Sequence, residues 1–361
     1  MDRKVRNLWR TISHGSGAEG IKVFAGLFLY VLIFLSVSLP ASGQEPFYKG
    51  KTIRIIVGLS PGGGYDLWAR MIARHIGKHI PGQPTVIVDN MPGAGSIIAA
   101  NHVYKVAKPD GLTIGHVSGN IFLNQLFKQP GIEFDARRYE FIGAPYADEM
   151  VVFVSKASGI TSMDKWFNAK NPVSFGGQAP GATFSDTVPR ILRAALGLPV
   201  KPVSGYKGTT EVRLAIESGE LDGNCLSWES GKATWARAME AGDIIPLLQV
   251  VPKPVREIPH VPLAINYAKT DDARQLIELG VHQPPVYARP FMLPPGTPKE
   301  RVQMLRRAFE ATMKDKEFLA DTEKARMTTM PVASGELEKV VQGIFDLDPA
   351  MVDKLKEILF K

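Results

Sequence analysis

Two glycine-rich turns hold the residues best suited to chemistry in this chain: PGGG at 61–64 and MPGAG at 91–95. Glycine carries no Cβ, so backbone N–H groups in such turns can crowd around a ligand, and a helix that follows adds the positive end of its dipole. Three successive glycines, Gly62, Gly63 and Gly64, exceed what a turn needs, and the chemistry they imply is anion binding. Asp66 reads as the cap of the helix after the first turn. Asn90 and the amides of 93–95 are candidates to line the same cleft. Ser118 and Asn120 follow a third apolar run, at the edge where open α/β sheets bind ligands. A dinucleotide site is disfavoured, because GLSPGGG lacks the G-x-G-x-x-G spacing. Catalysis finds no support in a G-x-S-x-G elbow, a Ser/His/Asp pattern or a paired-carboxylate box, and Cys225, the only cysteine, has no histidine partner suggested by the sequence. His75 and His79 have metal-ligand spacing but no third ligand in view, so they read as ordinary helix histidines and no metal or cofactor is expected.

The elements that must position these residues alternate from residue 51 onward. Strand-like apolar runs fall at 53–57, 85–88, 113–117, 150–154, 173–175, 221–225, 244–250 and 287–293. Apolar residues at three- and four-residue spacing predict helices over 66–79, 96–107, 184–196, 209–217, 298–313 and 335–360. This order points to an α/β fold with parallel sheets and right-handed crossovers. The segment 141–148 and the proline-dense stretch 252–262 bracket an inserted domain. The expected division is lobe 1 at 44–148 and 252–361 and lobe 2 at 149–251, with a two-strand hinge and a cleft between the lobes.

The opening segment differs in kind from the rest. Arg3, Lys4, Arg6, Arg10 and Lys22 precede an apolar run at 23–39, and small residues follow at 41–43. This is the pattern of an export signal at 1–43, cleaved before Gln44, with an uncleaved anchor as the alternative. Its removal lowers the formal charge from +7 to +4. No Lys/Arg stripe with interleaved aromatics appears, so no nucleic-acid partner is expected. One cysteine excludes an intrachain disulfide.

Several segments together resemble the periplasmic solute-binding receptors of tripartite tricarboxylate transporters, the Bug or TctC-like family. They are FYKGKTIRIIVGLSPGGGYDLWAR, DNMPGAGSIIAAN, KPDGLTIG, GYKGTTEVRLAIESGELDG and LPPGTPKERVQMLRRAFEATMKDKEF, in that order over 47–361. The resemblance implies a class II periplasmic binding fold that closes on a small organic carboxylate and passes it to a membrane permease. It implies that two loops hold one carboxylate. The first is 60–66, with Ser60, Tyr65 and Asp66 beside the glycines; the second is 176–183, with Gln178, Gly181, Ala182 and Thr183. It places the GYKG turn, and so Tyr206 and Lys207, toward the cleft. The chain departs from the family pattern at QAPGATFSD, at Gly205, and at GNCLSWES, which brings Cys225, Trp228 and Glu229. An altered pocket is expected, with Trp228 as a stacking candidate.

The expectation is therefore a periplasmic, monomeric receptor, not an enzyme, in which amides of 62–64 and 181–183 clamp a carboxylate at helix N-termini. A receptor that reports to a sensor kinase and an exported enzyme are the alternatives.

Overall fold

The computed structural model describes residues 45–360. The expected export segment lies outside the described residues. Phe47–Lys361 is one compact unit. Its strands are β1 (Thr52–Val57), β2 (Thr85–Asn90), β3 (Thr113–His116), β4 (Glu140–Ala144), β5 (Met150–Ser155), β6 (Val173–Gly176), β7 (Val200–Val203), β8 (Gly223–Ser227), β9 (Ile244–Gln249), β10 (Phe291–Leu293) and β11 (Val332–Ala333). Helices of nine or more residues are α1 (Gly64–Ile76), α2 (Phe184–Leu196), α3 (Thr209–Glu217), α4 (Trp228–Glu240), α5 (Lys299–Met313), α6 (Lys316–Lys324), α7 (Ser334–Ile344) and α8 (Pro349–Phe360).

The strands form two sheets, ordered β11-β4-β10-β3-β1-β2 and β7-β6-β8-β5-β9. The two-sheet α/β architecture agrees with the expected fold class, but the sheets are mixed rather than parallel. β10 runs antiparallel to β3 and β4, and β5 antiparallel to β8 and β9. β5 and β10 are the strands by which the chain passes between the sheets: β5 opens the second sheet directly after β4 closes the first run of the first, and β10 re-enters the first sheet after β9. All strands of the second sheet fall between Met150 and Gln249, whereas helices of the segment after 252 serve both sheets. α5 packs on α1 and on β4, while α8 and the short helix Asp271–Ile277 pack on α2.

Other departures have local causes. The predicted helix 335–360 is two helices, α7 and α8, because Pro349 begins a new first turn where its missing N–H costs nothing. The predicted helix 96–107 is broken into a 3-10 turn, one α turn and a π turn. The strand expected from 287 begins only at Phe291, since Pro284 and Pro285 open a 3-10 turn instead.

Register decides where the turns meet. Val57 pairs with both Asn90 and His116, so β1, β2 and β3 end level and their following turns share one edge. In the second sheet Gly176 pairs with Val203, and Ser227 with Met150, which brings 177–183, 204–208 and the segment before β5 to one edge. α1 is held on the first sheet by Trp68, Met71, Ile72 and Ile76, all buried, at about 1.5–3 kcal/mol for each large apolar side chain. α2 does the same on the second sheet through Val188, Ile191 and Leu192. Each anchored helix fixes its N-terminus at the level edge of its sheet.

Candidate functional site

α1 and α2 begin alike. Each has an extended N-cap residue whose side chain makes no cap bond, Gly63 and Thr183, and each carries an aspartate as its third residue. Asp66 is thus not the N-cap, as the sequence suggested; it lies one turn in and reaches back to accept from Gly62 N at 2.9 Å. Its carboxylate also accepts from Arg70 Nε at 2.8 Å and Asn90 Nδ2 at 3.0 Å. Although burial opposes its charge, these donors hold Asp66 below the usual carboxylate range. Asp186 likewise accepts from the amides of Gln178 (2.8 Å) and Ala179 (3.2 Å), and from Thr183 Oγ1 (2.6 Å) and Ser204 Oγ (2.8 Å). Among the described residues no cation is bonded to it, and burial pushes it up to about 6.

The consequence is that Gly62, Gln178 and Ala179 spend their N–H groups inside their own loops. The N–H groups of Gly64 and Tyr65 at the start of α1 have no protein acceptor among the described residues.

The two edges touch across a narrow seam. Ser60 Oγ donates to Glu211 Oε1 at 2.8 Å, Thr210 Oγ1 to the Pro61 carbonyl at 2.8 Å, and Ser118 Oγ to the Ala182 carbonyl at 2.8 Å. The glycines permit this approach by lacking side chains. A Cβ on Gly63 would lie 3.2 Å from Thr209 Cβ, and one on Gly64 would collide with Ser230 Oγ.

Within the seam lies a cavity of about 30 Å³, room for a water or two. Tyr65, Gln178 and Thr183 of the expected residues line it, together with Ser185, Thr209, Cys225, Ser227, Ser230, Asp148 and Arg289. Gln178 Oε1 and Asp186 Oδ2 both lie within 2.6 Å of the Thr183 hydroxyl, which has one proton; the arrangement is satisfied when the Gln178 amide is turned so that its NH2 faces Thr183. Larger hollows elsewhere, such as one of 620 Å³ around Lys165 and Asp222, are open surface depressions away from both helix N-termini.

The charged centre was not singled out from the sequence. Arg289 and Asp148 are 3% and 2% exposed and meet at 2.5 Å, Nε to Oδ1. Arg289 Nη2 also donates to Ser227 Oγ (2.9 Å) and Ser230 Oγ (2.8 Å), and its guanidinium lies 4.5 Å over the Tyr65 ring. Burial raises the Asp148 carboxyl even against the pull of Arg289, while Asp148 keeps the guanidinium charged against its own burial. Tyr65 donates to the Ala288 carbonyl at 3.0 Å, and burial pushes its hydroxyl up to about 12. The signal available in the sequence was one arginine inside an apolar run, VYARPFML, where an unpaired charge would be costly.

Other expected residues are placed elsewhere. Asn90 is a brace, bonding the Leu59 carbonyl at 2.9 Å as well as Asp66. Asn120 is fully buried, and neither atom of its amide has a partner among the described residues. Gly181 has φ +70°, and its Cβ position lies 2.7 Å from the Phe360 ring. Tyr206 donates to Glu220 at 2.6 Å and Trp228 to Glu257 at 3.1 Å, and neither lines the cavity. Trp228 stacks on Phe153 at 6.1 Å and 1°. Glu229 is tied to Lys232 (2.9 Å) and to the Thr328 amide (2.6 Å). His75 does meet acids from a distant segment, Asp315 and Glu317, but Lys78 Nζ already sits 2.9 and 2.6 Å from those carboxylates, so an ammonium fills the place of a metal.

Residues 68–356 match the model of a family described as the tripartite tricarboxylate transporter family receptor. A UPF0065 protein in the gbd 5' region of Cupriavidus necator is 28% identical over 326 residues, covering 88% of this chain and 91% of that protein. Among solved structures, the periplasmic binding protein BugD aligns with a TM-score of 0.70 at 20% identity, over 86% of this chain and 98% of that one. Two others are Rpa4515 of R. palustris with adipate, at TM-score 0.68 and 20% identity over 86% and 97%, and MatC of Rhodopseudomonas palustris with bound malate, at 0.65 and 16% over 86% and 99%.

Proposed function

We infer the function from the premise that this chain belongs to the tripartite tricarboxylate transporter family of receptors: it is a solute-binding receptor of the TctC/Bug type, and its ligand is a small organic carboxylate. The observation that carries the ligand class is the convergence of two helix N-termini, those of α1 and α2, on one cavity walled by hydroxyl, amide and guanidinium groups. Both dipoles favour negative charge there, and the one carboxylate in the lining, Asp148, is matched by Arg289. Malate and adipate, bound in two structural neighbours, make dicarboxylates the first class to test.

The mechanism is closure. The cavity is too small for such an acid until the seam opens, so ligand enters an open form and the bonds of Ser60, Thr210 and Ser118 re-form around it. Affinity then depends on the fraction of protein able to close. In this reading the protein works outside the cytoplasm and the closed form delivers its cargo to a membrane permease.

A thermal-shift screen of the protein against malate, adipate, citrate and benzoate tests the ligand class. A ligand at 100 times its Kd adds about 2.7 kcal/mol and moves the Tm by a few degrees. No shift with any of the acids, using protein stripped by partial unfolding and refolding, overturns the carboxylate reading.

A further inference from the structure

Arg289 holds five N–H donors, and three of them are spent on the protein: Nε on Asp148 and Nη2 on the hydroxyls of Ser227 and Ser230. Nη1 is buried and has no partner among the described residues. A buried donor on a charged group left without an acceptor costs more than a neutral one, so its retention demands an explanation. The location supplies one. Nη1 lies 3.3 Å from where a Cβ of Gly64 would stand, beside the first residue of α1 and its unbonded amides. Arg289 and Tyr65 both line the cavity. Three bonds and the Tyr65 ring hold the guanidinium in a single pose, so little entropy is lost when a ligand meets the remaining edge.

We propose that Arg289 Nη1 is the charged donor to one carboxylate of the ligand, with the amides of Gly64 and Tyr65 taking that carboxylate's second oxygen. The assignment rests on the carboxylate-receptor reading and adds to it the side chain that meets the carboxylate. Asp148 neutralises the guanidinium, so the site is not a strong unpaired cation. The surplus positive character comes from the α1 terminus, and it suits one negative charge and no more. Asp148 and the serines position Arg289; the group that touches ligand is Nη1.

The experiment compares binding of malate and adipate, each with its uncharged diamide, by calorimetry on the full chain and on two variants. Arg289→Lys keeps a charge against Asp148 but loses the second guanidinium nitrogen. The double variant Asp148→Asn with Arg289→Gln leaves no buried charge unpaired, and keeps the test valid where the lysine variant fails to fold. Expected is a loss of about 10- to 100-fold for the acid, with a much smaller change for the diamide, so that the preference for acid over amide narrows. A purely structural role would weaken acid and amide equally, and that result overturns the assignment. Variants that bind the acid as tightly as wild type overturn it too. A wild type with no affinity for any of the acids in the screen fails differently, by removing the carboxylate reading on which the assignment stands.

Discussion

Asp66 and Asp186 occupy the same position in their helices and titrate in opposite directions. Asp66 has Arg70 beside it and stays below the usual range, whereas Asp186 has only neutral donors and is pushed up to about 6 by burial. A carboxyl whose folded value lies above its unfolded value of about 3.9 binds more protons in the native state, so its contribution to stability is present below pH 4 and is lost as pH rises to about 6. His116, pushed down to about 3 by burial, works the other way over a similar range, so the whole-protein profile mixes the two. The difference between wild type and Asp186→Asn isolates the aspartate. It should move in the variant's favour by about 2 kcal/mol between pH 4 and pH 7, read by urea unfolding, and a flat difference would show that Asp186 ionises normally. Trp228 permits a second prediction at this scale. Its indole bonds Glu257 and stacks on Phe153, so Trp228→Phe should lower stability by about 1 kcal/mol and leave ligand affinity within about twofold of wild type. The sequence made Trp228 conspicuous as a departure from the family pattern; only its neighbours show that it is packing.

At the scale of elements, the two glycine loops differ in what a side chain would do. Gly63 has an ordinary φ of −86°, and its Cβ would meet Thr209 across the seam, the side chain at 3.2 Å and the backbone nitrogen at 3.7 Å. Gly63→Leu should therefore fold with a Tm close to wild type yet wedge the edges apart, weakening binding at least about tenfold in calorimetry. Gly181 sits at positive φ against Phe360 and Asn124, so Gly181→Ala should cost about 1–3 kcal/mol in unfolding experiments whatever it does to binding. Equal stability of the two variants would contradict this distinction. Helices α2 and α3 were legible to the residue, because their apolar spacing and the flanking glycines act within one turn. β4 and β7 were not. Glu140–Ala144 lies where a domain boundary was expected, and VKPV carries a proline that the partner pairing tolerates at the sheet edge.

For the whole molecule, the last helix ties the chain together. α8 rises from the segment expected to belong with the first sheet but packs on α2 of the second, burying Met351, Leu355 and Leu359. Leu355 touches the space beside Gly280 that Ile191 also fills. Leu355→Ala should cost about 2–5 kcal/mol by urea unfolding, a core penalty rather than that of a peripheral tail; a change under 0.5 kcal/mol would mean that α8 contributes nothing to the fold. Composition, apolar periodicity and the glycine turns were enough to give the α/β class, the order of most elements, and a glycine turn between β1 and α1, because each of these follows from contacts between residues close in sequence. The antiparallel strands, the occupation of the Gly62 and Gln178 amides by aspartates, and the pairing of Asp148 with Arg289 were decided only by tertiary structure. Asp148 and Arg289 are 141 positions apart. No local pattern relates them, and the free energy that fixes them, the burial of one charge against another, exists only once both sheets have brought their edges together.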